Sequence, residues 1–109
     1  GKPLSEIVAA QWAATTRILL DDLATVPTGQ RAVVRYAELV ADPQRAMQRL
    51  CTALDLVWDR TLQRELPPSR FTVSAPAPDK WRRHEREIEA ALASHADIAS
   101  RAESLSDCP

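Results

Sequence analysis

The chain has 109 residues and carries 14 basic side chains against 15 acidic ones, a formal charge of -1. Leu, Ile, Val and Phe make up only 24 positions, while alanine alone takes 18, so a single segment spanning 1–109 has a lean core of marginal stability by itself. The charge balance argues against a general nucleic-acid binder or a polybasic membrane sensor. The absence of a long apolar run or a signal pattern predicts a cytoplasmic chain with no transmembrane segment.

In chain order, Leu4, Ile7, Val8, Trp12, Leu19 and Leu23 follow a helical period that predicts a helix over 5–24, with Ser5 as N-cap and Val26-Pro27-Thr28-Gly29 as its stop. Residues 31–36, Arg-Ala-Val-Val-Arg-Tyr, are rich in β-branched and aromatic side chains and read as the one strand of the chain. A lone strand needs partners from another copy, another chain or another part of the same polypeptide. A turn through 37–41 leads to Asp42-Pro43, an N-cap followed by proline at the first helical position. The helix it opens runs to about Leu54, with Met47, Leu50, Cys51 and Leu54 on one face. Trp58 falls in a connection, and 59–66 predicts a short helix that Pro67-Pro68 ends. Residues 69–78 read as an extended, proline-punctuated loop, and Asp79 as the cap of a charged helix over 80–94. On that helix Trp81, Ile88 and Leu92 share a face, which makes Trp81 a packing anchor, with a stacking platform as the alternative. More helix is expected over 96–105.

Several chemistries are excluded. The two glycines, Gly1 and Gly29, cannot build a phosphate loop or a dinucleotide fingerprint. There is no Gly-x-Ser-x-Gly elbow, and no histidine sits in a nucleophile motif, so no catalytic residue is assigned. His84 and His95 would share a helix face but lie roughly 16 Å apart along it, too far for one metal ion, and no metal site is expected. Cys51 reads as a small core residue, and Cys108 lies next to the C-terminus. Paired carboxylates such as Asp21/Asp22 and Glu85/Glu89 are accounted for as solvated helix faces.

What stands out is local positive charge. Between residues 70 and 86 five basic side chains (Arg70, Lys80, Arg82, Arg83, Arg86) face two acidic ones, a net +3. Hydroxyls at Ser69, Thr72 and Ser74, a helix start and these cations together suit a phosphate group. The alternative is a solvated helix with ordinary ion pairs, such as Arg83 with Glu87.

The order of motifs adds to this. Val33-Val-Arg-Tyr-Ala-Glu-Leu-Val-Ala-Asp-Pro43 resembles the strand–turn–helix of sulfotransferases that use 3′-phosphoadenosine-5′-phosphosulfate (PAPS), usually written Arg/Lys-Tyr-Glu-Asp-Leu, a few residues, then Pro. Residues 49–59 resemble that family's helix end, normally Phe-Leu-Gly-Leu-Pro, and residues 71–83 with 87–89 resemble the C-terminal segment of bacterial members. The resemblance implies an α/β class, the C-terminal part of a P-loop-like sulfotransferase fold. The chain itself would be mostly α-helical with one strand, and its N-terminal nucleotide-binding half would lie in the same enzyme or in a partner chain. It implies PAPS as co-substrate, a small-molecule donor and an undetermined hydroxyl or amine acceptor. It places Tyr36 near the adenine, and Lys80, Arg82 and Ser74 near the 3′-phosphate. Alone, the chain would lack the phosphosulfate loop and the catalytic base, and is expected to be inactive. Ala37 and Asp55 depart from the pattern: Asp55 stands where a helix-ending glycine is expected, which calls for a left-handed non-glycine residue or a different loop. A second reading, of a different class, is a non-catalytic helical interaction module whose partner surface would be Ile7, Trp12 and Leu19 with the strand edge at Val33 and Val34.

Overall fold

The computed structural model describes residues 1–65 and 67–105. Cys108 and the end of the expected helix at Leu66 lie outside the described residues. Two compact units are formed, one from Gly1–Pro27 with the chain from Trp81 onward, the other from Thr28–Lys80.

The first unit is helical. Helix α1 covers Leu4–Thr25, close to the span its periodicity predicts. Ser5 is not its cap: the Pro3 carbonyl already accepts from the N–H groups of Glu6 and Ile7 at 3.1 and 3.2 Å, so the helix starts before Ser5 and Pro3 takes the cap position. The expected continuous helix over 80–94 is broken. Lys80–His84 forms a 3₁₀ segment, α4 covers Glu85–Leu92, a second 3₁₀ turn covers Ala93–His95, and α5 covers Ala96–Ser104. His84, at φ -125 and ψ 25, marks the first break. Tight 3₁₀ segments of this kind are frequent at α-helix ends.

Helix α1 packs against α4 and α5 through Ala9, Ala13 and Leu20, which are buried, as is Ile98 of α5 at 1% exposure. The buried positions recur at i, i+4 and i+11, one helical face. Alanines there let the helix axes approach closely. The expected apolar face is therefore not the one that packs: Leu4, Ile7, Val8, Trp12 and Leu19 stay exposed. At the edge of the interface Arg101 Nη2 meets Asp21 Oδ1 at 2.7 Å and Arg17 reaches Asp97 at 3.8 Å. Solvated pairs of this kind contribute about 0–1 kcal/mol each and set register more than stability.

The second unit begins with a 3₁₀ turn, Thr28–Gln30, followed by an irregular stretch through 31–35. The strand predicted over 31–36 is not formed, and among the described residues there is no strand at all. A strand exists through its ladder bonds, and Val33 and Val34 find no neighbouring strand among the described residues. Tyr36 instead opens α2, Tyr36–Ala41, where a turn was expected; the Arg35 carbonyl accepts from Leu39 N–H at 3.0 Å and starts the helical pattern.

Asp42 serves two helices. Its N–H closes α2 on the Glu38 carbonyl at 3.0 Å, and its Oδ1 accepts from Arg45 N–H at 3.1 Å, capping α3, Pro43–Ala53. The predicted Asp-Pro start is thus realised, with Pro43 buried at the first helical position. At the other end Asp55 adopts φ 55, the left-handed conformation a glycine would supply. Leu56 N–H reaches back to Cys51 O at 2.8 Å and Asp55 N–H to Thr52 O at 3.3 Å, the paired bonds of a Schellman ending.

The helix expected over 59–66 is absent through residue 65. Gln44 of α3 explains this: its Nε2 donates to Arg60 O at 3.2 Å, and its Oε1 accepts from Leu62 N–H at 2.7 Å. One side-chain amide binds the backbone on both sides of Thr61 as a neighbouring strand would.

Candidate functional site

The loop after Pro68 carries three of the hydroxyls singled out in the sequence. Two of them are used locally. Thr72 N–H donates to Ser69 O at 2.9 Å, Ser69 N–H donates to Thr72 Oγ1 at 3.1 Å, the two hydroxyls lie 3.0 Å apart, and Phe71 N–H donates to Ser69 Oγ at 3.3 Å. Ser69 and Thr72 therefore build a turn, with Arg70 stacked 4.6 Å from the centre of the Phe71 ring. Side-chain hydroxyls competing for nearby backbone groups are the usual makers of such turns.

Ser74 is different. Lys80 folds back so that Nζ donates to the Ser74 carbonyl at 2.9 Å and to its Oγ at 2.7 Å. Lys80 is half-buried. An ammonium has three N–H donors and two are spent here. Ser74 Oγ accepts from Lys80 and keeps its own O–H to donate, so an ammonium and a hydroxyl lie side by side, donors of the kind suited to an anionic oxygen. The sequence names both residues but not their contact, since six positions of proline-punctuated loop lie between them.

Tyr36 lies in the same unit at the N-terminus of α2, 56% exposed. It is not at the end of a strand, as the α/β reading expected, but opens a helix with more than half of its surface exposed. Glu38, the acidic residue retained from the sulfotransferase-like pattern, accepts from Arg49 Nη1 at 3.3 Å and ties α2 to α3. Arg49 and Gln44 are the positioning residues that sequence reading missed; both act over eleven or more positions, beyond the reach of local pattern.

Arg82 belongs to the other unit. Its guanidinium pairs with Glu85 at 3.5 Å and lies 5.3 Å from the Trp81 ring centre. Trp81 is exposed rather than anchored with Ile88 and Leu92, because the 3₁₀ segment shifts it out of their α-helical register. The same tightening replaces the expected Arg83–Glu87 pair by contacts at i+3: Arg82 with Glu85, and His84 Nδ1 with Glu87 at 3.9 Å. Residues 82–87 line a shallow, open depression. Among the described residues no group of three or more His, Cys, Asp or Glu gathers as a metal site would require, and no helix is long and apolar enough to cross a membrane.

With this geometry in hand, comparison with known families is decisive for the first half of the chain. Residues 2–60 match the model of the sulfotransferase family, and the chain belongs to that family. No curated protein and no solved structure matches it. The matched stretch holds Tyr36, Glu38, the Asp42-Pro43 start and the Asp55 ending; Ser74, Lys80 and Arg82 lie beyond it.

Proposed function

We propose that this chain is the part of a PAPS-dependent sulfotransferase that grips the adenine and 3′-phosphate of the donor. The observation that carries the reading is the Lys80–Ser74 pair, a cation and a hydroxyl already brought together within a loop that otherwise binds itself. Within the second unit Tyr36 offers a ring for the adenine, and Lys80 and Ser74 offer donors to phosphate oxygens; Arg82 of the other unit is assigned by the resemblance alone. In this reading residues 31–35 pair with a strand of the remaining α/β fold, whether that fold is in the same polypeptide or in a partner chain.

Sulfuryl transfer from PAPS to a hydroxyl or amine acceptor asks a protein mainly to align donor and acceptor and to stabilise charge on the transferring group. These residues contribute to the first task, since holding the nucleotide fixes the direction of the bond to be broken. The phosphosulfate loop and the base belong elsewhere in such an enzyme.

The test is hydrogen exchange with and without adenosine 3′,5′-bisphosphate. Slower exchange at Tyr36 and over 74–82 is expected, and unchanged exchange in both regions removes the assignment. A second reading, a non-catalytic helical interaction module, is favoured by one observation: the large apolar side chains of α1 point away from its packed face.

A further inference from the structure

Tyr36 is the first residue of α2, and a helix of only six residues has little hold of its own. None of its side chains is buried within the unit, and only Leu39 and Val40 are half-buried. Its direction is therefore set by α3, with which it is in contact. At the corner Asp42 closes α2 with its N–H and caps α3 with its Oδ1, which fixes where one helix leaves the other. A corner leaves a helix free to roll about its own axis. Roll is the motion that matters here, because it swings any ring on the helix surface. At 100° per residue Glu38 stands about 150° round the helix from the midpoint of Leu39 and Val40. Arg49 Nη1 of α3 donates to Glu38 Oε2 at 3.3 Å, so α2 is held on two nearly opposite sides and resists roll in both senses.

We propose that Arg49 is a positioning residue for the adenine site: through Glu38 it sets the roll of α2 and so the aim of the Tyr36 ring. The role rests on the adenine reading of Tyr36 and adds to it a residue thirteen positions away. All three residues belong to the second unit. The pair is solvated, its side chains 66% and 47% exposed, and such pairs add little to stability. Its effect is on direction. The guanidinium meets the carboxylate through a single nitrogen, a contact that a lysine ammonium can imitate.

The test is a double-mutant cycle, read by isothermal titration of adenosine 3′,5′-bisphosphate into the full chain. Tyr36→Ala should weaken binding by about tenfold, as expected for a base losing its aromatic platform. Arg49→Ala should weaken it by about three- to fivefold, and Arg49→Lys should restore it. In the Tyr36→Ala background Arg49→Ala should cost nothing further, because a residue acting through Tyr36 has nothing left to place. A purely structural role would cost affinity in both backgrounds. Tyr36 is the only tyrosine, so its ring protons can be followed by NMR without ligand. They should shift in Arg49→Ala and return in Arg49→Lys, with circular dichroism unchanged. No binding by the wild-type chain, or binding indifferent to Tyr36→Ala, removes the adenine reading, and this role falls with it. If Tyr36→Ala weakens binding but Arg49→Ala does not, if the two losses simply add, or if the ring signals ignore Arg49→Ala, the positioning role alone is overturned.

Discussion

Lys80 Nζ sits 2.7 Å from Ser74 Oγ and 2.9 Å from the Ser74 carbonyl, so a cation from the start of the C-terminal helical region is fixed onto the loop before it. The contact closes the segment 74–80 and leaves one N–H of the ammonium and the Ser74 O–H still able to donate to an acceptor. On the proposed phosphate role, Lys80→Ala should weaken binding of adenosine 3′,5′-bisphosphate by about 10- to 100-fold, the usual worth of a charge-assisted hydrogen bond. Ser74→Ala should weaken it by about 3- to 10-fold. Isothermal titration checks both, with thermal melting to show the folds unchanged. Equal affinity in wild type and Lys80→Ala would refute the role.

Asp55 gives a prediction of opposite sign. At φ 55 it holds the left-handed position of the α3 ending without being glycine. Asp55→Gly relieves that strain and should raise stability by about 0.5–1 kcal/mol, whereas Asp55→Val should lower it by about 1–2 kcal/mol. Urea unfolding with unchanged slope is the measurement.

Gln44 bonds the backbone on both sides of Thr61. Gln44→Ala removes both bonds and should cost about 1–2 kcal/mol. Gln44→Glu keeps the acceptor for Leu62 N–H but sets a carboxylate against the Arg60 carbonyl, so stability should fall while the protection of Leu62 N–H persists. Equal protection of Leu62 N–H in wild type and Gln44→Ala would contradict the clamp.

Ile98 is the most deeply buried large side chain of its unit, at 1% exposure against α1. Ile98→Ala should cost about 2–4 kcal/mol through lost contacts and a residual cavity. In a unit with so lean a core that is enough to lower its melting temperature visibly, and Asp21→Ala at the solvated pair with Arg101 should by comparison cost at most about 1 kcal/mol.

Much of this was legible before the structure, and the physical reason is locality. The span of α1 and the Asp42-Pro43 start of α3 follow from interactions within about four positions, where side-chain chemistry and backbone geometry are written together; at Asp55 the sulfotransferase resemblance left a left-handed residue or a different loop open, and the structure shows the first. Membership of the sulfotransferase family was legible too, from the block around Arg35-Tyr36 and the helix after it, which the family match over residues 2–60 covers. Only the tertiary structure decided what depends on distant partners. Periodicity marked α1 as amphipathic but could not say that the alanine face would pack and the bulky face would stay open. The β-branched run at 33–34 had the composition of a strand, yet a ladder needs a second strand and the chain supplies none among its described residues. Gln44 holding Arg60 and Leu62, and Lys80 holding Ser74, join residues across loops. No local pattern encodes such contacts; the folded path of the chain does.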